Sequence, residues 1–249
     1  MNELKSPTIS DMERNILKIS TELFLNQGYD KTTIRQIAEK SGIGRGHLYY
    51  YFKKKEDILI HIFKQILNKI YDDVIENSDD KTEILLSYAT IQCIYTYTLV
   101  LNEKLFRIYL QGSNIEIVRR AAQDILIDLC KKKAKDMNYN ISEKDICFSI
   151  TIGYAGECEL LKRFYHGEKN FDIDSIVKSI ISTRLLLLNI IDYTQVCLIV
   201  DKAMKEKISK NLNRRLTLIV FNKPDCFDSF VNKDFEISVS NLDWQGLEV

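Results

Sequence analysis

Between Thr32 and Asp57 the chain reads TTIRQIAEKSGIGRGHLYYYFKKKED, and no other stretch limits the fold as tightly. Thr33 and Gln36 have the spacing of a capping box, which starts a helix at Ile34 and turns Ile34, Ile37 and Ala38 toward a core. Gly42 suits the left-handed position that ends such a helix, and Ile43 is the next apolar anchor. Gly44 is an acceptable N-cap for a second helix running to about Tyr51. Two short helices joined by a glycine turn have the form of a helix-turn-helix.

Gly46 falls inside the second helix, where glycine costs about 1 kcal/mol relative to alanine, so its presence needs a reason. Close approach to a groove is one such reason. Arg45, Gly46 and His47 occupy the first turn, the part of a helix-turn-helix that meets base edges in the major groove. Tyr50, Tyr51, Lys53, Lys54 and Lys55 follow at the height of a flanking phosphate. The alternative is a small three-helix subdomain with core tyrosines and solvated lysines.

Residues 10–60, about a fifth of the chain, resemble the N-terminal domain of TetR-family transcriptional regulators. The resemblance rests on Leu48, Tyr49, Tyr50, Tyr51 and Phe52 followed by Lys53, Lys54, Lys55, Glu56, Asp57 and Ile58, similar to the family's LYYYF and K-x-K-E-D-L runs. It implies that Arg45, Gly46 and His47 face bases. Thr33, Tyr49, Tyr50, Tyr51 and Lys55 are expected at phosphate or sugar, with Arg35 reaching the backbone or a base edge. Gly44 stands where many members have serine or threonine, and His47 where threonine, serine or alanine is usual. These departures bear on the target sequence, not on the fold.

The 249 residues, 45% apolar and 28% charged, are enough to bury a sizeable core in one large or two small domains. Net charge is zero, yet residues 1–55 hold ten Lys and Arg against six Asp and Glu. The basic end is therefore the expected nucleic-acid reader. Glu3, Lys5, Asp11, Glu13 and Arg14 interrupt the first apolar residues, which predicts no signal peptide, and no apolar run approaches the roughly 18 residues of a membrane span. The expectation is a soluble, cytoplasmic protein without membrane partners. Cys93, Cys130, Cys147, Cys158, Cys197 and Cys226 form no C-x-x-C pair and read as reduced core residues, with a redox sensor as the alternative.

With only Pro7 and Pro224, little forces the chain out of helix, and the fold class expected is all-α. Met12, Ile16, Ile19 and Leu23 make the buried stripe of a first helix closed by Gly28. Ile58 to Val74 form two apolar rows, long enough to join two cores. Residues 82–101 are apolar nearly all round, as in a central helix. Further helices are expected at 103–111, 114–137, 143–166, 174–192 and 194–213, and the Lys131–Lys135 run complements the end of its own helix. The expected organisation is a helix-turn-helix domain over 1–56, a helical ligand-binding and dimerisation domain over 57–213, and an extension over 214–249. In that extension Leu216–Phe221 and Phe235–Val239 have strand composition around an Asn222–Asp225 turn, predicting a short β-hairpin. The resemblance implies that the last two long helices pair with their copies in a homodimer, and Ile180 and Leu188 mark the shared face. Gly153 and Gly156 serve either that contact or crowding within the chain.

His47, His61 and His166 are far apart, no metal-ligand spacing occurs, and no glycine loop cradles phosphate, so neither an enzyme nor a cofactor or metal is expected. Glu157 and Glu159, beside Cys158, suit either a cationic ligand or a solvated surface. Tyr88, Tyr95, Phe106, Tyr109, Tyr154 and Phe164 are candidates for the wall of a lipophilic pocket, since pockets in helical bundles are mostly apolar and aromatic. The whole reads as a dimeric, ligand-responsive regulator of a pseudo-palindromic DNA operator, most simply a repressor. The alternative is a protein that keeps this fold and acts as a coactivator through protein contacts.

Overall fold

The computed structural model describes residues 11–76, 84–136 and 140–207. These form ten helices: α1 (Asp11–Gln27), α2 (Ile34–Lys40), α3 (Arg45–Tyr51), α4 (Lys55–Glu76), α5 (Ile84–Val100), α6 (Glu103–Ser113), α7 (Glu116–Asp136), α8 (Glu143–Tyr165), α9 (Ile173–Leu187) and α10 (Tyr193–Lys207). The fold is all-α, with no strand among the described residues. The expected hairpin lies outside them, as does the end of the helix expected over 194–213.

The head of the molecule is assembled by local signals. Gly28, at φ 89°, closes α1, and Thr33 and Gln36 form both halves of the capping box that opens α2. Gly42 turns the chain at φ 71°, a conformation that side chains with a β-carbon resist. Ile16, Leu23, Phe24, Ile37, Leu48 and Phe52 then close over one another, and Ile58 and Leu59 from α4 complete the layer. This core does not stop at the head. It continues along α4 through Ile62, Ile66 and Ile70 and takes in Leu105 and Phe106 of α6, so the boundary expected near residue 57 falls inside one continuous core.

Helix α5 runs through the middle of the larger part, packed by α4, α6, α9 and α10. Its far side joins a second core, where Ala89, Cys93 and Tyr97 meet Ile146 and Ile150 of α8, Val177 and Ile181 of α9, and Val196 and Val200 of α10. Such surroundings explain why its sequence is apolar nearly all round. No single described helix is long and apolar enough to cross a membrane, and α5 and α6 meet at 107°.

The helix expected over 174–192 ends short of its expected bound. Leu188 ends α9, and Asn189 takes the left-handed conformation at φ 55°, which asparagine tolerates better than most residues. Asp192 and Gln195 then cap α10 reciprocally, each side chain bonded to the other's backbone N–H at 2.9 and 3.0 Å. Ile191 therefore does not share a face with Ile180. Ile180 and Leu188 also point inward, at 3% and 9% exposure, because α9 lies between α8 and α10. The sides of α8 and α9 left open carry instead Phe148, Ile152, Ala155 and Gly156, and Ser179, Thr183 and Leu186. Ile180→Glu should consequently unfold the chain rather than divide a dimer, with a loss above about 3 kcal/mol for an unpaired buried charge. Urea unfolding followed by circular dichroism reads this, and a variant of unchanged stability that sediments as a monomer would return Ile180 to an intersubunit face.

Candidate nucleic-acid interface and internal cavity

Helix α3 is held by a single buried side chain of its own, Leu48, so nearly everything else on it faces outward. Arg45, Gly46, His47, Tyr49 and Tyr50 are exposed, Tyr50 at 82%. Tyr51 is half-buried against the core and meets the ring of His47 at 5.5 Å and that of Tyr50 edge-on at 5.2 Å. A β-carbon on Gly46 would touch nothing within 4 Å. The chain's own packing therefore does not call for glycine there. Thr33 and Arg35 are exposed on the neighbouring helix, Arg35 bonded to Glu39 at 2.7 Å. A surface pair of this kind holds its arginine weakly.

Lys55 differs from Lys53 and Lys54. Its ammonium donates to the carbonyls of Tyr29 and Thr32 at 2.9 and 3.0 Å and sits 4.0 Å from the centre of the Tyr29 ring. Two of its three donors are taken up inside the protein. Burial draws its pKa below the ordinary lysine value, against the pull of Asp30 and Glu56. Tyr29 in turn donates to Glu56 at 3.1 Å. Lys55 thus ties the loop before α2 to the start of α4, and sequence reasoning, which saw only a run of lysines, placed it at phosphate.

A cavity of about 320 Å³ lies among α4, α5, α6, α7 and α8. Tyr88, Tyr95, Tyr109 and Tyr154 all line it, while Phe106 and Phe164 do not. Those two meet in the core, tilted by 43° with ring centres 6.3 Å apart, and Tyr165 lies 5.4 Å from Phe106. In their place stands Phe63 of α4, edge-on to Tyr109 at 5.8 Å. Burial raises all four phenols, Tyr88 to about 12, so they face the cavity as neutral groups. Burial also pushes the Cys130 and Cys158 thiols up to about 11, which keeps both protonated and poorly reactive.

One end of the cavity is polar. Arg184, 1% exposed, donates to Glu157 at 2.6 Å and to the Gln92 carbonyl oxygen. Gln92 also donates to Glu157 at 3.3 Å and to Thr96 at 3.0 Å. Burial raises the Glu157 carboxyl and the guanidinium pulls it back. Glu157 and Gln92 line the cavity, whereas Arg184 lies outside its wall. The arginine crosses α8 at Gly153, where a β-carbon would overlap its side chain. Gly153 is thus required within the chain, and Gly156 lies on the open side with no neighbour within 4 Å. Glu159, by contrast, is a surface residue paired with Arg163 at 2.9 Å. Sequence reasoning passed over Arg184. The clue to it was its place on the inward side of α9 among Val177, Ile180, Ile181 and Leu188, where a charge must find a partner.

The cavity and the head touch through α6. A β-carbon on Gly112, in the cavity wall, would come within 3.1 Å of Leu59. Next to it, Gln111 donates to Asp30, in the loop before α2, at 2.7 Å.

Residues 16–62 match the family model described as bacterial regulatory proteins, tetR family. The match covers α2, α3 and most of α1, and it ends in α4. Over these residues the chain is similar to that family. Among curated relatives, it is 33% identical over 75 residues to the fatty acid metabolism regulator protein of Bacillus subtilis strain 168, covering 28% of this chain and 39% of that one. It is 28% identical over 103 residues to the biofilm operon icaADBC HTH-type negative transcriptional regulator IcaR of Staphylococcus epidermidis, covering 41% of this chain and 54% of that one. The matched segments thus span 39% and 54% of these two relatives' lengths. Among solved structures, the fatty acid degradation regulator FadR from Bacillus halodurans is 21% identical with a TM-score of 0.42, covering 74% of this chain and 98% of that one.

Lys55→Ala should lower the stability of the head by about 1.5–3 kcal/mol, the range for hydrogen bonds to a charged group. Lys54→Ala, at an exposed position, should stay within about 0.5 kcal/mol of the parent. Urea midpoints measure both, and equal midpoints for the two variants would mean that the Lys55 bonds do not hold the loop.

Proposed function

We propose that the chain is a homodimeric, ligand-responsive transcriptional repressor, which reads a pseudo-palindromic operator with α3 and leaves it when a small lipophilic molecule fills the cavity. The observation that carries this reading is α3 itself, a helix anchored by Leu48 whose arginine, histidine and two tyrosines are all turned to solvent. Basic and aromatic groups on one helix suit base edges and phosphates together. Arg45 and His47 would read bases. Thr33, Arg35, Tyr49, Tyr50 and Tyr51 would hold the backbone, with Lys53 and Lys54 free to add phosphate contacts. The name of IcaR as a negative regulator favours repression, and that of the Bacillus subtilis relative favours a lipophilic signal.

A second copy supplies the second half-site, about one helical turn of DNA away or a multiple of it. The open side of α8 and α9 suits it. Phe148 and Ile152 are about half exposed beside the small residues Ala155 and Gly156, an uncommon surface for a monomer. The domains then divide the work, with 1–56 reading DNA and 57–213 sensing and dimerising. The cavity is a sensor on this reading and performs no reaction, and the protein works in the cytoplasm, where its operator is.

The effector must bind more tightly to the form whose heads are wrongly spaced for DNA. Saturating operator must then weaken effector binding by the factor by which effector weakens operator binding. Titrating effector with and without operator tests this, and equal dissociation constants would make the molecule a passenger. Arg45→Ala and His47→Ala should each alter the base preferred at one symmetric operator position, by about 1–3 kcal/mol. An unbiased DNA selection that returns the parent motif from both would remove them from the reading face. Ile152→Glu should yield a folded monomer by sedimentation, and a dimer of unchanged affinity would move the interface elsewhere.

A further inference from the structure

Three rings on α3 touch in sequence, and the middle one is held from behind. Tyr51 meets the ring of His47 with centres 5.5 Å apart and a tilt of 43°, and meets that of Tyr50 edge-on at 5.2 Å. Its two neighbours are exposed, whereas Tyr51 is half-buried and packs on the core of the head. His47 and Tyr51 stand four residues apart, the spacing at which helical side chains meet. A long helical side chain also leans back over the turn that precedes it, and here that turn carries His47.

An exposed histidine on a helix has two common rotamers about its first side-chain bond, because the third runs into the preceding turn. Tyr51, seated on the core, favours the one in which the imidazole lies against its ring. The choice matters because His47 stands in the first turn of α3, the part of a helix-turn-helix that meets base edges. Fixing a flexible side chain on a base costs ordering entropy, and that cost falls only on the sequence whose base it meets. A ring that orders His47 beforehand therefore raises affinity for that sequence and leaves the others as they were. The threonine, serine or alanine usual in the family at this position has no ring to pair with Tyr51, so the arrangement belongs to the histidine of this chain.

Building on the reading of α3 as the base-reading helix, we propose that Tyr51 is a positioning residue, whose ring sets the imidazole of His47 for one base pair of each half-site while its hydroxyl stays at phosphate. Nuclear magnetic resonance of the full-length protein without DNA, with its three histidines isotope-labelled, reads the contact. The His47 ring protons, assigned by their loss in His47→Ala, should be displaced by the ring current of Tyr51 and should return toward their free positions in Tyr51→Leu. Affinity for the selected operator is then compared with affinity for the same operator altered at the base pair whose preference His47→Ala changes. Tyr51→Leu, shown to be folded by circular dichroism, should lower that ratio by about two- to tenfold per half-site, the cost of ordering one flexible side chain. Tyr51→Phe loses the hydroxyl, so it should weaken both sequences alike and keep the ratio. When Tyr51→Leu is combined with His47→Ala, the ratio should be that of His47→Ala alone, as expected of residues that act through one contact. Undisplaced His47 protons in the parent protein, which needs no variant, would overturn the proposal. So would an unchanged ratio in Tyr51→Leu, an equal fall in Tyr51→Phe, or independent effects in the combined variant. The two readings fail differently: a displaced His47 ring together with a parent motif returned by His47→Ala ends the base-reading role of His47 itself, and with it the role of Tyr51.

Discussion

The contact on which the arrangement turns is Leu59 of α4 against Gly112 of α6. Leu59 is fully buried where the core of the head runs on into the larger domain, and the missing β-carbon of Gly112 lets α6 come down on it. Interiors packed to crystal-like density transmit displacement instead of absorbing it. An outward shift of α6 must therefore either move α4 or open a void beside Leu59, and voids in a core are costly. Gln111 holds Asp30 from the same helix, so the loop that carries Thr33 feels the same displacement. Lys55 completes the link by joining that loop to the start of α4.

The buried ion pair answers a different need. Replacing such a pair with apolar residues is often neutral or stabilising, so stability alone does not account for Arg184 and Glu157. What the pair does is fix geometry. Arg184 crosses α8 at Gly153 and reaches Gln92 on α5, while Ser149 of α8 donates to the Arg184 carbonyl at 2.8 Å. Three helices are thereby locked in one register at the inner end of the cavity. An apolar core there would be free to collapse into the space, and a polar network with defined partners is not.

What sequence could reveal followed from how local each signal is. The capping box at Thr33 and Gln36 and the turn at Gly42 are interactions within four residues, and both formed as read. Tyr88 and Tyr95, seven apart on a helix, reached the cavity together because helical periodicity puts them on one face. Phe106 and Phe164 did not, since which side of a buried helix faces a cavity and which faces solid core depends on neighbours distant in sequence. The same holds for Lys55, whose partners are 23 and 26 residues away. The break at Asn189 was missed for the opposite reason: the apolar period of α9 ran on past a residue whose backbone preference outweighed it.

The cavity is polar at one end, where Gln92 and Glu157 line it. A sensor that moves its reading heads needs an occupant with unequal affinity for two arrangements, and uniform apolar contact discriminates poorly because it depends mainly on area. Polar contacts at fixed positions are more exacting, since they weaken steeply as the groups separate. Tyr109 sits three residues before Gly112 on α6, and Glu157 and Tyr154 sit on α8. All three line the cavity, Tyr109 on the helix that meets Leu59 and the other two on α8. The inner end of the cavity thus adjoins both the helix that meets Leu59 and the helix whose open side offers Phe148 and Ile152.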